Sequence, residues 1–200
     1  MKNVGEFEQR NDEFDKRFNR DLIIQSCVKN EKPLIFDIGA HHGQSIKYLE
    51  GIFKSPVIYS FDPNPESFKI LSKNSSKNNK IFNFAFSNVA GESYFFQNKI
   101  SHTNSLYEVN IDSQDSIRAQ ELSSIVSKEI NTRINVDTFT LDRFFKDYSI
   151  NFVDLMKVDT QGAEELVLEG GAGSLDKIKA IILEVSFFDY YVHKTSFMDI

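Results

Sequence analysis

Cysteine occurs once in this 200-residue chain, at Cys27, so no intrachain disulfide can form. Nothing asks for an oxidising compartment, and the expected location is the cytoplasm. Tryptophan is absent, which leaves an aromatic content of 13% to Phe and Tyr. Long apolar runs are missing as well. No stretch approaches the roughly 20 residues that a bilayer-crossing helix needs, and the N-terminal residues 1–20 are charged throughout, without the apolar centre of a signal peptide. No membrane partner is expected. Excess positive charge is also lacking: 23 Lys and Arg stand against 29 Asp and Glu, for a net charge of -6 and a pI near 5.3. Backbone binding to duplex nucleic acid draws its affinity from clustered Lys and Arg, so no nucleic-acid partner is expected. The basic run 73–80 is interrupted by Asn and Ser and reads as a solvated helix end. With one cysteine, and histidines that lack ligand spacing, no zinc site is indicated.

What is present suits one folded domain: 40% apolar and 26% charged residues in a chain long enough to bury a core. Residues 1–32 read as an amphipathic helical arm, with Phe7, Phe14, Phe18 and Leu22 at helical spacing among charges. Pro33 ends it. Residues 33–200 read as a single α/β domain. Apolar strands are expected at 34–38, 57–61, 80–86, 92–97, 133–139, 152–158 and 180–185, alternating with helices at 44–53, 66–73, 141–148 and 164–168. Residues 98–131 break that rhythm as a polar, partly helical insertion over the ligand edge, with a helix expected at 113–129. The alternation predicts a doubly wound, mostly parallel sheet with helices on both faces.

In such a sheet, ligands bind beyond the carboxyl ends of the strands, where strand order reverses. The first strand ends in Asp37, followed by a turn from Gly39 through Ala40 to Gly43, whose glycines let backbone approach a ligand closely. The second ends in Asp62, an acceptor-only carboxylate suited to ribose hydroxyls. A G-x-G-x-x-G fingerprint would need glycine where His41 and Gln44 stand, so pyrophosphate is a poor fit. S-adenosylmethionine has no phosphate and fits better. A nicotinamide-dependent oxidoreductase and a non-catalytic binding protein remain the alternatives on the same topology.

Several segments carry a more specific pattern. Asp37-Ile-Gly-Ala-His-His-Gly43, Phe61-Asp-Pro-Asn-Pro65, Thr140-Leu141-Asp142, the run from Met156 to Glu164, Val167-Leu-Glu-Gly170 and Ile181-Ile-Leu-Glu-Val185 together resemble the FkbM family of methyltransferases. The resemblance spans about 33–185. It implies a Rossmann-like class I fold, S-adenosyl-L-methionine as methyl donor, and a hydroxyl acceptor on a small molecule, sugar or glycan. Carried over by position, Asp37, Gly39, Ala40 and Gly43 would line the methionine portion, Asp62 the ribose, and Asn83, Phe86 and Ser87 the adenine. Asp159, Gln161 and Glu164 would face the reacting methyl. His41 stands where the family more usually has an Asn-type residue. Family members generally continue beyond the fifth parallel strand with a helix and an antiparallel pair, so the expectation is either that those strands are missing and something else, such as the second copy of a homodimer, covers the edge at 180–185, or that the chain is incomplete.

The residues leave roles open. Asp159 reads either as the group that orients or deprotonates the acceptor, directly or through a Mg2+-like cation shared with Glu164 or Glu184, or as a helix cap. Glu164 is a second catalytic candidate or a first-turn acid. His41 is a candidate base or a packing residue, His102 a substrate contact or a loop residue, and His193 a surface residue. Phe61 and Phe86 are core or an adenine sandwich.

Overall fold

A computed structural model of the chain describes residues 18–98, 101–114, 117, 131–185 and 190–192. Its centre is a five-stranded parallel sheet of β1 (Leu34–Ile38), β2 (Val57–Phe61), β3 (Asn79–Phe82), β7 (Leu155–Val158) and β8 (Ile181–Leu183), in the order β3-β2-β1-β7-β8. Strand order therefore reverses between β1 and β7, and that is where the crevice of a doubly wound sheet opens. This is a Rossmann-like α/β fold, as the alternation of strand and helix periods implies.

The strands are apolar on both faces because helices cover both. Side chains alternate across a strand, so on β1 Phe36 and Ile38 enter one hydrophobic cluster and Ile35 the other. The Ile35 face is covered by α1 (Arg20–Cys27), α2 (Gln44–Ile52) and α3 (Pro65–Leu71), through Ile24, Ile46, Leu49 and Leu71. The opposite face is covered by α4 (Leu141–Asp147) and α5 (Glu164–Glu169), through Leu141, Phe144, Phe145 and Val167. Local chemistry starts these helices. Asn19, Asn64 and Thr140 accept hydrogen bonds from the first-turn amides of Leu22, Glu66 and Arg143, and Pro65 occupies the first turn of α3, where no intrahelical donor is needed.

Three expectations need correction. The strand expected at 80–86 is two strands. It breaks at Asn83 and Phe84, where the Asn83 amide donates to the Asp62 carbonyl (2.9 Å), and β4 (Ala85–Phe86) continues in a different sheet. The segments expected at 92–97 and 133–139 do not join the parallel sheet. They are β5 (Gly91–Asn98) and β6 (Asn131–Phe139), an antiparallel pair that makes a three-stranded sheet with β4. In the arm, Phe18 and Leu22 are exposed, while Ile24 and Val28 anchor the helix. Phe7, Phe14 and most of the helix expected at 113–129 lie outside the described residues, as do His193 and residues 186–189 and 194–200. Among the described residues, no helix is long and apolar enough to cross a membrane.

The aromatic residues concentrate on one face. Phe144 makes edge-to-face contacts with Phe36, Phe61, Phe82 and Phe86 at centroid distances of 5.1–5.6 Å and stacks on Tyr148 at 4.2 Å. Phe144→Ala should cost about 3–5 kcal/mol, the range for truncating a buried Phe, read as a lowered denaturation midpoint. A loss under about 1 kcal/mol would show that this cluster does not hold α4 to the sheet.

Candidate functional site

The site begins with a glycine that cannot be replaced. Gly39 has φ +81, and a Cβ built on it would lie 1.8 Å from the carbonyl oxygen of Asp159. The turn after β1 is thus pressed against the end of β7. Gly39 and Ala40 both donate to the Phe61 carbonyl at 3.0 Å, so the same turn is also fastened to the end of β2. His41 follows with φ 48, and its backbone N–H donates to Asp62 Oδ2 at 2.8 Å. The other oxygen of Asp62 accepts from Asn64 N at 2.9 Å. Asp62 therefore knits the loops after β1 and β2 together, and each oxygen keeps acceptor capacity beyond these bonds. Burial pushes its carboxyl up to about 7, against the two amides that favour the charged form.

A cavity of about 380 Å³ opens over these strand ends. One wall is apolar, built by Phe84, Ala85, Phe86, Phe95 and Leu106. The other is polar and rich in acid. Lys157 on β7 donates to Asp159 Oδ2 at 2.9 Å and lies 3.6 Å from Asp37 on β1. Asp37 is fully buried and neither of its oxygens has a hydrogen bond of good geometry, although Lys157 and Ser45 lie close enough to favour its charge. Desolvation dominates and raises its pKa. Gln161 donates to Asp159 Oδ1 at 2.8 Å and lies 3.5 Å from Glu184 Oε2. Burial alone would raise Asp159; the carboxyl of Glu184, Lys157 and Gln161 together outweigh burial and hold it low. Glu184 is pushed up to about 7, first by hydrogen bonding with Asp159 and then by burial.

The segment after β5 closes the rim. Ser101, His102, Asn104 and Leu106 all line the cavity, and Ser101 Oγ lies 2.9 Å from His41 Nε2. Burial, then the neighbouring His42 and His102, lower the pKa of His41, so its imidazole is neutral near pH 7. Tyr191 holds the rim from outside. Its hydroxyl sits 3.0 Å from the Thr103 carbonyl and 3.1 Å from Gln161 Oε1, and its ring packs over Gly162.

Of the residues singled out from sequence, Gly39, Ala40, His41, Phe61, Asp62, Phe86, His102, Asp159, Gln161 and Glu184 line the cavity together. Asp37 sits beneath it, reaching it through Lys157. Gly43, Asn83, Ser87 and Glu164 lie elsewhere. Gly43 packs on Leu71 and Asn74. Asn83 holds the Asp62 carbonyl, and the carbonyl of Ser87 faces Gly170. Glu164 accepts from the amides of Thr160 and Gly162 and from the Thr160 hydroxyl, bracing the turn between β7 and α5. Asp159 does not cap that helix, because its oxygens go to Lys157 and Gln161.

Sequence reasoning gave no role to Lys157, Ser45 or Tyr191, and gave Glu184 one only as a cation ligand beside Asp159. A lysine inside an otherwise apolar central strand is a readable signal, since such a position tolerates charge only when paired. Tyr191 carried no signal. Among the described residues, no group of three or more His, Cys, Asp and Glu side chains is placed to hold a metal ion.

The site thus sets a glycine turn and successive strand-tip acids opposite an apolar wall at the switch point. The methyltransferase FkbM domain model matches residues 37–200. The chain belongs to that family. A similar protein is the 2-O-methyltransferase NoeI of Sinorhizobium fredii (strain NBRC 101917 / NGR234), 25% identical over 172 residues that cover 84% of this chain and 69% of that one. The FkbM match begins at Asp37, so α1 and the first half of β1 lie ahead of it.

The raised carboxyls make stability depend on pH. Asp62 and Glu184 move from ordinary values of 3.8 and 4.5 to about 7, so the folded state holds protons that the unfolded chain releases. Their contribution is fully present below about pH 4 and is lost as pH rises through about 7. Asp62→Asn and Glu184→Gln should each flatten the fall in unfolding free energy between pH 4.5 and 7.5, measured by denaturant titration at several pH values. A slope identical to that of the unmodified protein would refute the shift at the position tested.

Proposed function

We propose that this chain is an S-adenosylmethionine-dependent methyltransferase that methylates a hydroxyl on a small molecule or glycan. The observation that carries this reading is the cavity at the β1/β7 switch point, which sets an apolar wall against an acid-rich floor with no phosphate cradle. Such a site suits a cationic nucleoside. Around the floor stand the carboxyls of Asp37, Asp159 and Glu184 with the ammonium of Lys157; Asp159 is held ionised, and the floor offers oxygen acceptors to an ammonium. Asp62 would hold the ribose hydroxyls with its remaining acceptor capacity, and Phe84, Ala85 and Phe86 would flank adenine. Phe61 is fully buried among Phe36, Phe82 and Phe144, and serves the core first.

When bound, S-adenosylmethionine supplies an electrophilic methyl on a good leaving group. The protein's share is to align the acceptor, exclude water and take a proton. Ser101, His102 and Asn104 on the rim would bind the acceptor, and His41 fixes that rim through Ser101. Asp159 is poorly suited to accept the proton by itself, because donors occupy both its oxygens and hold its basicity low. Glu184 sits near 7, so close to neutral pH a share of it is ionised, and in that state the Asp159–Glu184 pair takes up the hydroxyl proton, which rests on Glu184. Glu164 acts structurally, by holding the turn that presents Gln161. O-methylation agrees with the name of the relative NoeI.

Calorimetric titration with S-adenosylhomocysteine tests the cofactor assignment directly. Asp62→Ala should weaken binding by about 1–3 kcal/mol through loss of buried hydrogen bonds, and unchanged affinity would remove Asp62 from the site. Glu184→Gln should leave that affinity within about twofold, yet slow methyl transfer to polyhydroxylated acceptors about 100-fold, the scale of general-base catalysis. Equal turnover in the variant would rule out Glu184 as proton acceptor.

A further inference from the structure

Tyr191 is 4% exposed, and its place is fixed from two sides. Its backbone forms an antiparallel bridge with Val109, flanked by hydrogen bonds from Asn110 N to the Tyr190 carbonyl at 2.8 Å and from Val192 N to the Glu108 carbonyl at 2.9 Å. Its ring lies against Gly162, where φ is +97 and a Cβ would come within 2.8 Å of the ring. Only glycine admits so close an approach. The Tyr191 hydroxyl is thereby carried between the rim and the turn after β7.

That hydroxyl has one hydrogen and two carbonyl acceptors, Thr103 on the rim at 3.0 Å and Gln161 Oε1 at 3.1 Å. Gln161 is itself held in an unusual conformation, with φ 58 in the left-handed region that residues bearing a side chain rarely adopt. Its amide has two different ends. The N–H end donates to Asp159 Oδ1 at 2.8 Å and lies 3.5 Å from Glu184 Oε2, while the carbonyl end faces Tyr191. Turned over, the amide would set its oxygen against the carboxylate of Asp159, acceptor against acceptor. The O–H of Tyr191 therefore completes the one orientation that Asp159 tolerates, and polarises the amide toward it.

We propose that Tyr191 is a positioning residue for methyl transfer, aligning the Asp159–Glu184 pair through Gln161 and the acceptor rim through the Thr103 carbonyl. The inference rests on the reading of that pair as the proton acceptor. Its two legs do different work. The Gln161 leg keeps an N–H on Asp159 while Glu184 takes up the proton, so its loss lets the pair drift from the geometry of proton transfer. The Thr103 leg holds the segment from which Ser101, His102 and Asn104 line the cavity, so its loss loosens the acceptor site. The residues read as holding ribose and adenine, Asp62, Phe84, Ala85 and Phe86, belong to the chain from β2 to β4 and to neither leg. Cofactor binding is therefore the part of the reaction that Tyr191 leaves alone.

Tyr191→Phe keeps the ring on Gly162 and removes only the hydroxyl, so it should fold. With free sugars and methyl glycosides as acceptors, it should lower kcat about tenfold and raise the acceptor KM about threefold, while calorimetry shows S-adenosylhomocysteine bound within about twofold of the unmodified protein. Gln161→Leu should lower kcat by at least as much with the acceptor KM unchanged, and the double variant should lose no more kcat than Gln161→Leu alone. Amide hydrogen exchange, read without any substrate, should quicken at 101–106 in Tyr191→Phe and not in Gln161→Leu. This role of Tyr191 is wrong, and the cofactor reading stands, if Tyr191→Phe keeps full kcat, if the two kcat losses multiply in the double variant, or if exchange at 101–106 does not change. If the unmodified protein binds no S-adenosylhomocysteine, the cofactor reading falls and this role falls with it.

Discussion

The contact between Gly39 and the Asp159 carbonyl oxygen governs the site. Any side chain at Gly39 would occupy the space of that oxygen, so the turn leaving β1 and the end of β7 lie closer than two side-chain-bearing segments can. From that approach the rest follows. The two central strands end at one level, the turn carries His41 toward Asp62, and the crevice opens between loops fixed at both ends. The hydrogen bonds of Gly39 and Ala40 to Phe61 extend the constraint to β2, so three strand ends are tied together. A binding site on such a frame is preorganised, which keeps the ordering cost of a ligand low.

The acid-rich floor is a second consequence of packing strands so closely. Asp37 and Lys157 are paired in register on neighbouring strands, and Asp159 follows two residues after Lys157. Burial of these groups is offset by their pairing on Lys157, and Gln161 and Glu184 complete the hydrogen bonding of Asp159. This explains why Asp159 and Glu184, similar in chemistry, differ in character. One is held ionised by its donors, and the other carries the proton that their proximity requires. Tyr191 extends the same network outward, joining Gln161 to the rim through Thr103.

Much of this was legible in the residues. Each apolar strand of the parallel sheet was readable from its run and its following turn, and helices α2 to α5 from their spacing and caps. Gly39, Asp62 and Asp159 fall at strand tips that alternation alone locates. The split at Asn83 was not legible, because a continuous run of Phe and Ala conceals a hydrogen bond to Asp62, a residue 21 positions away. Nor was the separate sheet of β4, β5 and β6, since its pairing spans the excursion at 99–130 and strand propensity does not name a partner. In the arm, the helical stripe pointed to Phe18 and Leu22, but the surface offered by Leu49 and Leu155 took Ile24 and Val28 instead.

The sequence by itself determined the order of elements, the parallel sheet and the strand-tip chemistry, because period, turn residues and family motifs are local properties. Tertiary structure alone decided which acids share a floor and which merely brace a turn. It brought Lys157 against Asp37, turned Glu164 inward to the amides of Thr160 and Gly162, and joined Tyr191 to Gln161 and Thr103. Those assignments depend on distances between residues far apart in the chain, and a carboxylate's role is fixed by the donors that packing places around it.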